Sequence, residues 1–145
     1  MNQKNNMKKF RIIETSIING LGATQNKYNI QKRGFFKWYD YPIKCTNHVN
    51  ALNKVYFKDE ILYFYDYKTC LDLCDALRSF EGFKYKNVII QVGYNTSDGS
   101  ALYLKQEKSP MNYTCYDVFK TSQEIMDWID IQYKMIKKRV VKELV

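Results

Sequence analysis

Apolar residues recur at helical spacing in only two stretches of this chain, residues 68–80 and residues from about 122 to the C-terminus. Elsewhere the pattern is that of strands broken by turn residues. Such a distribution points to an α+β fold, because strict strand–helix alternation would be needed for a parallel α/β sheet. In the first stretch, "KTCLDLCDALRSF", Cys70, Leu73, Cys74, Leu77 and Phe80 share one face, while Asp72, Asp75 and Ser79 lie elsewhere. Thr69 reads as its N-cap, Asp72 three residues on completes a near capping box, and Gly82 follows its end. The second stretch starts after Thr121, with Glu124 in the matching box position. Its apolar stripe runs Ile125, Ile129, Tyr133, Ile136, Val140 and Leu144, widened at the start by Trp128.

The strand-type segments sit around recognisable turns. "FRIIETSII" (10–18) and "KYNIQKR" (27–33) flank "NGLGATQN", which predicts a hairpin. Gly34 reads as a bend, after which "FFKWYDY" (35–41) continues as strand. "PIKCTNHVNALN" (42–53) reads as a loop. "KVYF" and "ILYFYDY" read as strands around the charged turn "KDE", "NVIIQVGY" and "ALYLKQ" flank the turn "NTSDGS", and "YTCYDVF" follows. The expected architecture is a mainly antiparallel sheet of about six to eight strands with two helices, the second long and C-terminal. The length of 145 residues fits one domain spanning 1–145.

The two helices share a sequence echo. "YDYKTCLDLCDAL" (65–77) aligns with "YDVFKTSQEIMDWI" (116–129) on Lys68-Thr69 and Lys120-Thr121, with one extra residue in the second copy. Leu73, Cys74 and Leu77 then match Ile125, Met126 and Ile129. A duplicated β-β-β-α unit, with halves at 10–82 and 86–145, accounts for this. So does convergence, because a strand leading into a capped amphipathic helix is a common solution.

Composition narrows the function classes. Hydrophobic residues make up 46% and aromatic residues 16%, so the chain is globular and strand-rich rather than disordered. The formal net charge of +8 excludes an acidic nucleic-acid mimic and favours anionic or acidic partners. Lys exceeds Arg, and Asn, Ile and Tyr are frequent, a usage set by AT-rich codons that suits a low-GC bacterium or its phage. "MNQKNNMKKF" has charge but no apolar core, so a signal peptide is not expected, and no run is apolar enough to cross a membrane. The expected locations are a virion or the host cytoplasm, with no membrane partner and with the four cysteines as free thiols.

Chemistry has few footholds. His48 is the sole histidine. Cys45, His48, Cys70 and Cys74 together have the donor types of a Cys3His zinc site. The spacing is atypical, however, and Cys74 matches Met126 in the echo, so Cys74 reads as a core residue and no metal is expected. Cys115 lies inside a strand, where a thiol is usually inert. No phosphate-loop, dinucleotide, metalloprotease or nucleophile-elbow motif occurs. The chain is therefore expected to have no catalytic residues and no cofactor, with a cryptic enzyme as the third-ranked possibility.

What stands out is aromatic surface. If 35–41 is extended, Phe35, Tyr39 and Tyr41 face one way and Phe36 and Trp38 the other. Tyr63 and Tyr65 repeat the pattern in 61–67. A sheet covered by helices on one side needs only one apolar face. The surplus is expected to meet a protein partner, a second copy, bases of a nucleic acid, or the chain's own first hairpin. A second feature is the basic cluster Lys134, Lys137, Lys138, Arg139 and Lys142. It reads first as a solvated helix end complementing the macrodipole, and alternatively as a phosphate-binding face. Together these features predict a non-enzymatic protein-binding or structural subunit, foremost a phage virion accessory, capsid-associated protein. The alternative is a phage or host regulatory or anti-defence protein that binds nucleic acid or a nucleoprotein through its basic face.

Overall fold

The computed structural model describes residues 9–47, 54–107 and 115–144, with side chains described except at 54–55 and 135–144. Along the chain these form β1 (Phe10–Ile18), β2 (Thr24–Arg33), β3 (Trp38–Asp40), β4 (Ile43–Thr46), β5 (Lys54–Val55) and β6 (Lys58–Glu60). There follow α1 (Tyr67–Phe80), β7 (Phe83–Tyr85), β8 (Val88–Asn95), β9 (Ser100–Glu107), β10 (Cys115–Phe119) and α2 (Ser122–Leu144). The fold is α+β, with the second helix C-terminal. The strands divide between a small sheet of order β1-β2-β3 and a seven-stranded sheet, six of whose strands run in the order β5-β10-β9-β8-β4-β6 while the seventh, β7, pairs with β8. The larger sheet takes strands from both sides of Gly82, joined by the parallel pair β4 with β8 and by the antiparallel pair β5 with β10.

One core lies under α1 and serves both sheets. Cys70, Leu73, Cys74, Ala76 and Leu77 are buried against Phe10 and Ile30 of the small sheet and Ile43, Cys45, Val92 and Tyr94 of the large one. Burying the leucine, isoleucine, valine and phenylalanine side chains among these contributes about 1.5–3 kcal/mol each. Helix α2 buries Ile125 and Ile129 on Ile90, beside Tyr103, Phe119 and Trp128. The opposite face of the large sheet is also closed. Leu102, Leu104, Tyr116 and Val118 are buried there, with Phe57 packed on them. Gly93 makes this possible: a Cβ at that position would lie 3.0 Å from the Lys44 carbonyl, 3.0 Å from Leu104 and 3.2 Å from the Phe57 ring.

Four local expectations are corrected. The segment 42–53 is not all loop: Ile43 and Cys45 alternate inward on β4, in the interior of the large sheet. One neighbour, β8, is about fifty residues away in sequence and the other, β6, is short and charged, so little in the local sequence marked it. "KDE" is not a turn but β6, an edge strand whose charged side chains keep that edge wet. Conversely, 61–67 is not a strand. It runs beside β2 with a single bridge, Tyr28 to Phe64 (2.7 and 2.8 Å), before Tyr67 begins the helix. Lastly, Thr69 is not the N-cap of α1. Asp66 is, accepting from the Thr69 amide (3.2 Å) and hydroxyl (2.7 Å), while Asp72 pairs with Lys68 instead.

At α2 the expected cap forms, but the box is offset, with the carboxylate reaching the Lys120 amide rather than that of Thr121. Thr121 Oγ1 accepts from the Glu124 amide (3.1 Å), and the Glu124 carboxylate accepts from the Lys120 amide (3.2 Å). Thus the Lys-Thr pair lies inside α1 but ahead of α2. The echo persists only in packing: Leu73, Cys74 and Leu77 are buried, as are Ile125 and Ile129, with Met126 packed beside them.

Candidate protein-binding surface

The small sheet has one face on the core and one face outward. Phe10 and Ile30 point inward, joined by Ile12, Tyr28 and Tyr41. On the outer face the Arg11 guanidinium lies 4.3 Å from the Trp38 ring and donates to Gln31 Oε1 at 3.0 and 2.8 Å. Asn29 and Gln31 donate to the Asp40 carboxylate at 2.9 and 3.0 Å. This polar network occupies the outer face, so it is not an open aromatic platform.

The sequence-predicted aromatic residues therefore separate into three groups. Alternation holds over Trp38–Tyr41: Trp38 lies on the outer face, while Tyr41 turns inward, edge-on to Phe10 with ring centroids 5.1 Å apart. Its phenol hydrogen-bonds to Glu81, and burial, reinforced by that carboxylate, pushes its titration well above the ordinary tyrosine range. Tyr39 keeps partial exposure. Phe35 and Phe36 are not in a strand. They form the tip of the β2–β3 connection, 92% and 93% exposed, edge-to-face with centroids 4.5 Å apart. The Gly34 amide donates to the Lys37 carbonyl (2.7 Å), closing the turn, and a Cβ on Gly34 would meet that same carbonyl at 2.9 Å. The third group, Tyr63 and Tyr65, is exposed on the segment beside β2, with Lys27 Nζ 4.3 Å over the Tyr63 ring.

A second apolar tip was not identified from the sequence. At the β1–β2 turn Ile18 is 74% and Leu21 96% exposed. "NGLGATQN" reads as turn chemistry, and the Asn19 side chain does hold that turn by accepting from the Leu21 and Ala23 amides. Its apolar content was the signal available. From Glu14 onward β1 is exposed on both faces.

Of the basic cluster, Lys134 is exposed; the side chains of Lys137, Lys138, Arg139 and Lys142 lie outside the described residues. Nearer the body, Lys86 pairs with Asp130 at 2.5 Å, and Lys105 lies 5.2 Å over the Trp128 ring.

The cysteines that sequence placed in a zinc set divide too. Cys45, Cys70 and Cys74 are buried, and burial pushes their thiols up to about 12, 12 and 11. They are protonated at neutral pH and are not nucleophiles there. Cys45 lines an open cleft of about 420 Å³ with Tyr56, Lys58 and Glu60, where the carboxylates of Glu60 and Asp59 raise its thiol further. His48 lies outside the described residues. Among the described residues no group of three His, Cys, Asp or Glu side chains is placed to hold a metal ion, and no helix is long and apolar enough to cross a membrane.

No family model, curated protein or solved structure matches this chain.

Proposed function

We propose that this chain is a non-enzymatic, protein-binding subunit of a larger assembly, and that the assembly is a phage particle to which it attaches as a capsid-associated accessory. The reading is supported above all by Phe35 and Phe36, two large apolar side chains held in solvent on a turn locked by its own hydrogen bond. Burying both rings against a partner would recover apolar area at little ordering cost, because the turn is already formed. Paired exposed aromatics of this kind are typical interface anchors. Arg33 and Lys37 flank the tip, which suits an apolar recess with an acidic rim. The phage setting is supported by the AT-rich residue usage alone.

The test is co-sedimentation of the labelled full chain with purified particles of the phage that encodes it. The wild-type chain is expected to bind in fixed stoichiometry, and the Phe35→Ser/Phe36→Ser variant to bind at least about tenfold more weakly, as loss of a hot spot implies. Equal binding by the variant, or no binding by the wild type, would reject the reading.

A further inference from the structure

β1 ends in a stretch with mirror symmetry: Ile12-Ile13-Glu14-Thr15-Ser16-Ile17-Ile18 has two isoleucines, a polar residue, a central threonine, a polar residue and two isoleucines. Antiparallel pairing of two identical strands about a two-fold axis sets each residue against its mirror position, so a strand of this kind matches itself along its whole length.

The ladder shows which main-chain groups remain for such pairing. Among the described residues β1 pairs with β2 alone, in unbroken register. The Asn19 amide donates to the Ala23 carbonyl and the Arg33 amide to the Lys9 carbonyl. Odd-numbered residues of β1 therefore bond to β2, and even-numbered ones direct their amides and carbonyls to the open edge. Arg78 of α1 agrees with this parity, donating to the outward Phe10 carbonyl at 3.1 and 3.0 Å. That guanidinium closes the edge at Phe10, and the symmetric stretch begins two residues later. Within the stretch Glu14 is the one charged residue, and the other devices that normally protect an edge are missing from β1. There is no proline and no bulge in β1, and no charged residue between Glu14 and Lys27.

From this edge we infer that β1 pairs antiparallel with β1 of a second copy about an axis through Thr15, joining the two small sheets into one. The inference rests on the reading that the chain works by binding proteins, and it names one partner. In this register Ile12 faces Ile18, Ile13 faces Ile17, Glu14 faces Ser16 and Thr15 faces Thr15. The even-numbered residues form hydrogen-bonded pairs, for about eight main-chain hydrogen bonds in all, and the isoleucines supply β-branched cross-strand pairs on both faces. An axis through Glu14 would set two carboxylates opposite each other, and one through Ser16 would set Glu14 against Ile18. The net charge of +8 opposes self-association elsewhere, whereas this edge brings no cations together.

Sedimentation velocity of the full chain from about 1 to 100 μM tests the dimer directly. Thr15→Glu is the discriminating variant. Thr15 is exposed and lies opposite Lys27 within the hairpin, so a carboxylate there suits the monomer while placing two carboxylates across the axis. The wild type is expected to sediment as a dimer and Thr15→Glu as a monomer with an unchanged circular dichroism spectrum. Thr15→Cys adds a readout independent of that variant's folding: a facing, non-hydrogen-bonded pair sits within disulfide reach. Mild oxidation should give a covalent dimer with Thr15→Cys and not with Gln25→Cys, on the neighbouring strand. A wild type that stays monomeric at the top concentration, a dimer that persists in Thr15→Glu, or equal cross-linking by Gln25→Cys would overturn the inference. Phe35→Ser/Phe36→Ser should dimerise like the wild type. Phe-dependent particle binding by a monomeric wild type would therefore remove this inference alone.

Discussion

The two sheets put similar residues to opposite uses. In β9 of the large sheet, Leu102 and Leu104 point to a face closed by Phe57 and are fully buried. In the hairpin of the small sheet, Ile18 and Leu21 stand almost wholly in solvent, as do Phe35 and Phe36 at the next turn. Both regions are antiparallel and both are rich in apolar side chains. The difference is coverage. The large sheet has helices on one face and a loop aromatic on the other, whereas α1 covers only the base of the small sheet. Apolar residues in the first region are held by their contribution to folding. Those at the two tips contribute little to it and are free to serve association.

The sharpest way to break this contrast is to truncate one leucine in each region. Leu104→Ala should destabilise the fold by about 2–5 kcal/mol, the usual cost of a buried leucine truncation that leaves a cavity, measured as a fall in the urea midpoint. A loss below about 1 kcal/mol would mean that the face under Phe57 is loosely packed.

A subtler effect is expected where the regions meet. Glu81 ends α1 and accepts from the Val92 amide of the large sheet at 2.6 Å, while Tyr41 hydrogen-bonds to it from the small-sheet side. Burial raises its carboxyl above the ordinary glutamate value, against the pull of the Val92 amide and of Lys44 and Lys32. Between the ordinary and the raised value, the folded chain holds a proton that the unfolded chain has released. Stability from this group is therefore present at lower pH and lost as pH rises through the folded value. Urea midpoints of wild type minus Glu81→Gln, compared from about pH 4 to 7, should fall with pH. A difference that rises with pH would show that pairing with Lys44 and Lys32 outweighs burial, and that an ion pair joins the sheets.

The smallest effect is expected at the hairpin tip. Leu21→Ser should change stability by no more than about 0.5 kcal/mol, as for a surface position without structural contacts. A drop of several degrees in Tm would show that the tip packs on something in the folded chain, and the two regions would then differ less than their exposures indicate.

Local patterning made much of this fold legible. β1 spans the residues its β-branched run predicts, the "NTSDGS" turn joins two strands, and both amphipathic helices occur with Cys70, Leu73, Cys74, Leu77, Ile125 and Ile129 buried. These features depend on side-chain period and turn chemistry, which act between near neighbours. β4 was not legible, because one partner, β8, lies about fifty residues away in sequence and the other, β6, is a three-residue charged segment that reads as a turn. The segment 61–67 misled for the converse reason: its aromatic alternation resembles a strand, but Asp66 caps a helix there and β2 offers it only one bridge. At the candidate surface, Phe35, Phe36, Trp38, Tyr39 and Tyr41 read in the sequence as one strand with aromatic groups on both sides. Tertiary structure set Phe35 and Phe36 in solvent, Trp38 under Arg11 and Tyr41 beside a buried carboxylate. Exposure is a property of what the rest of the chain covers, so the residues at the strand ends revealed their character only once α1 was seen to shield the base of the small sheet and leave its tips bare.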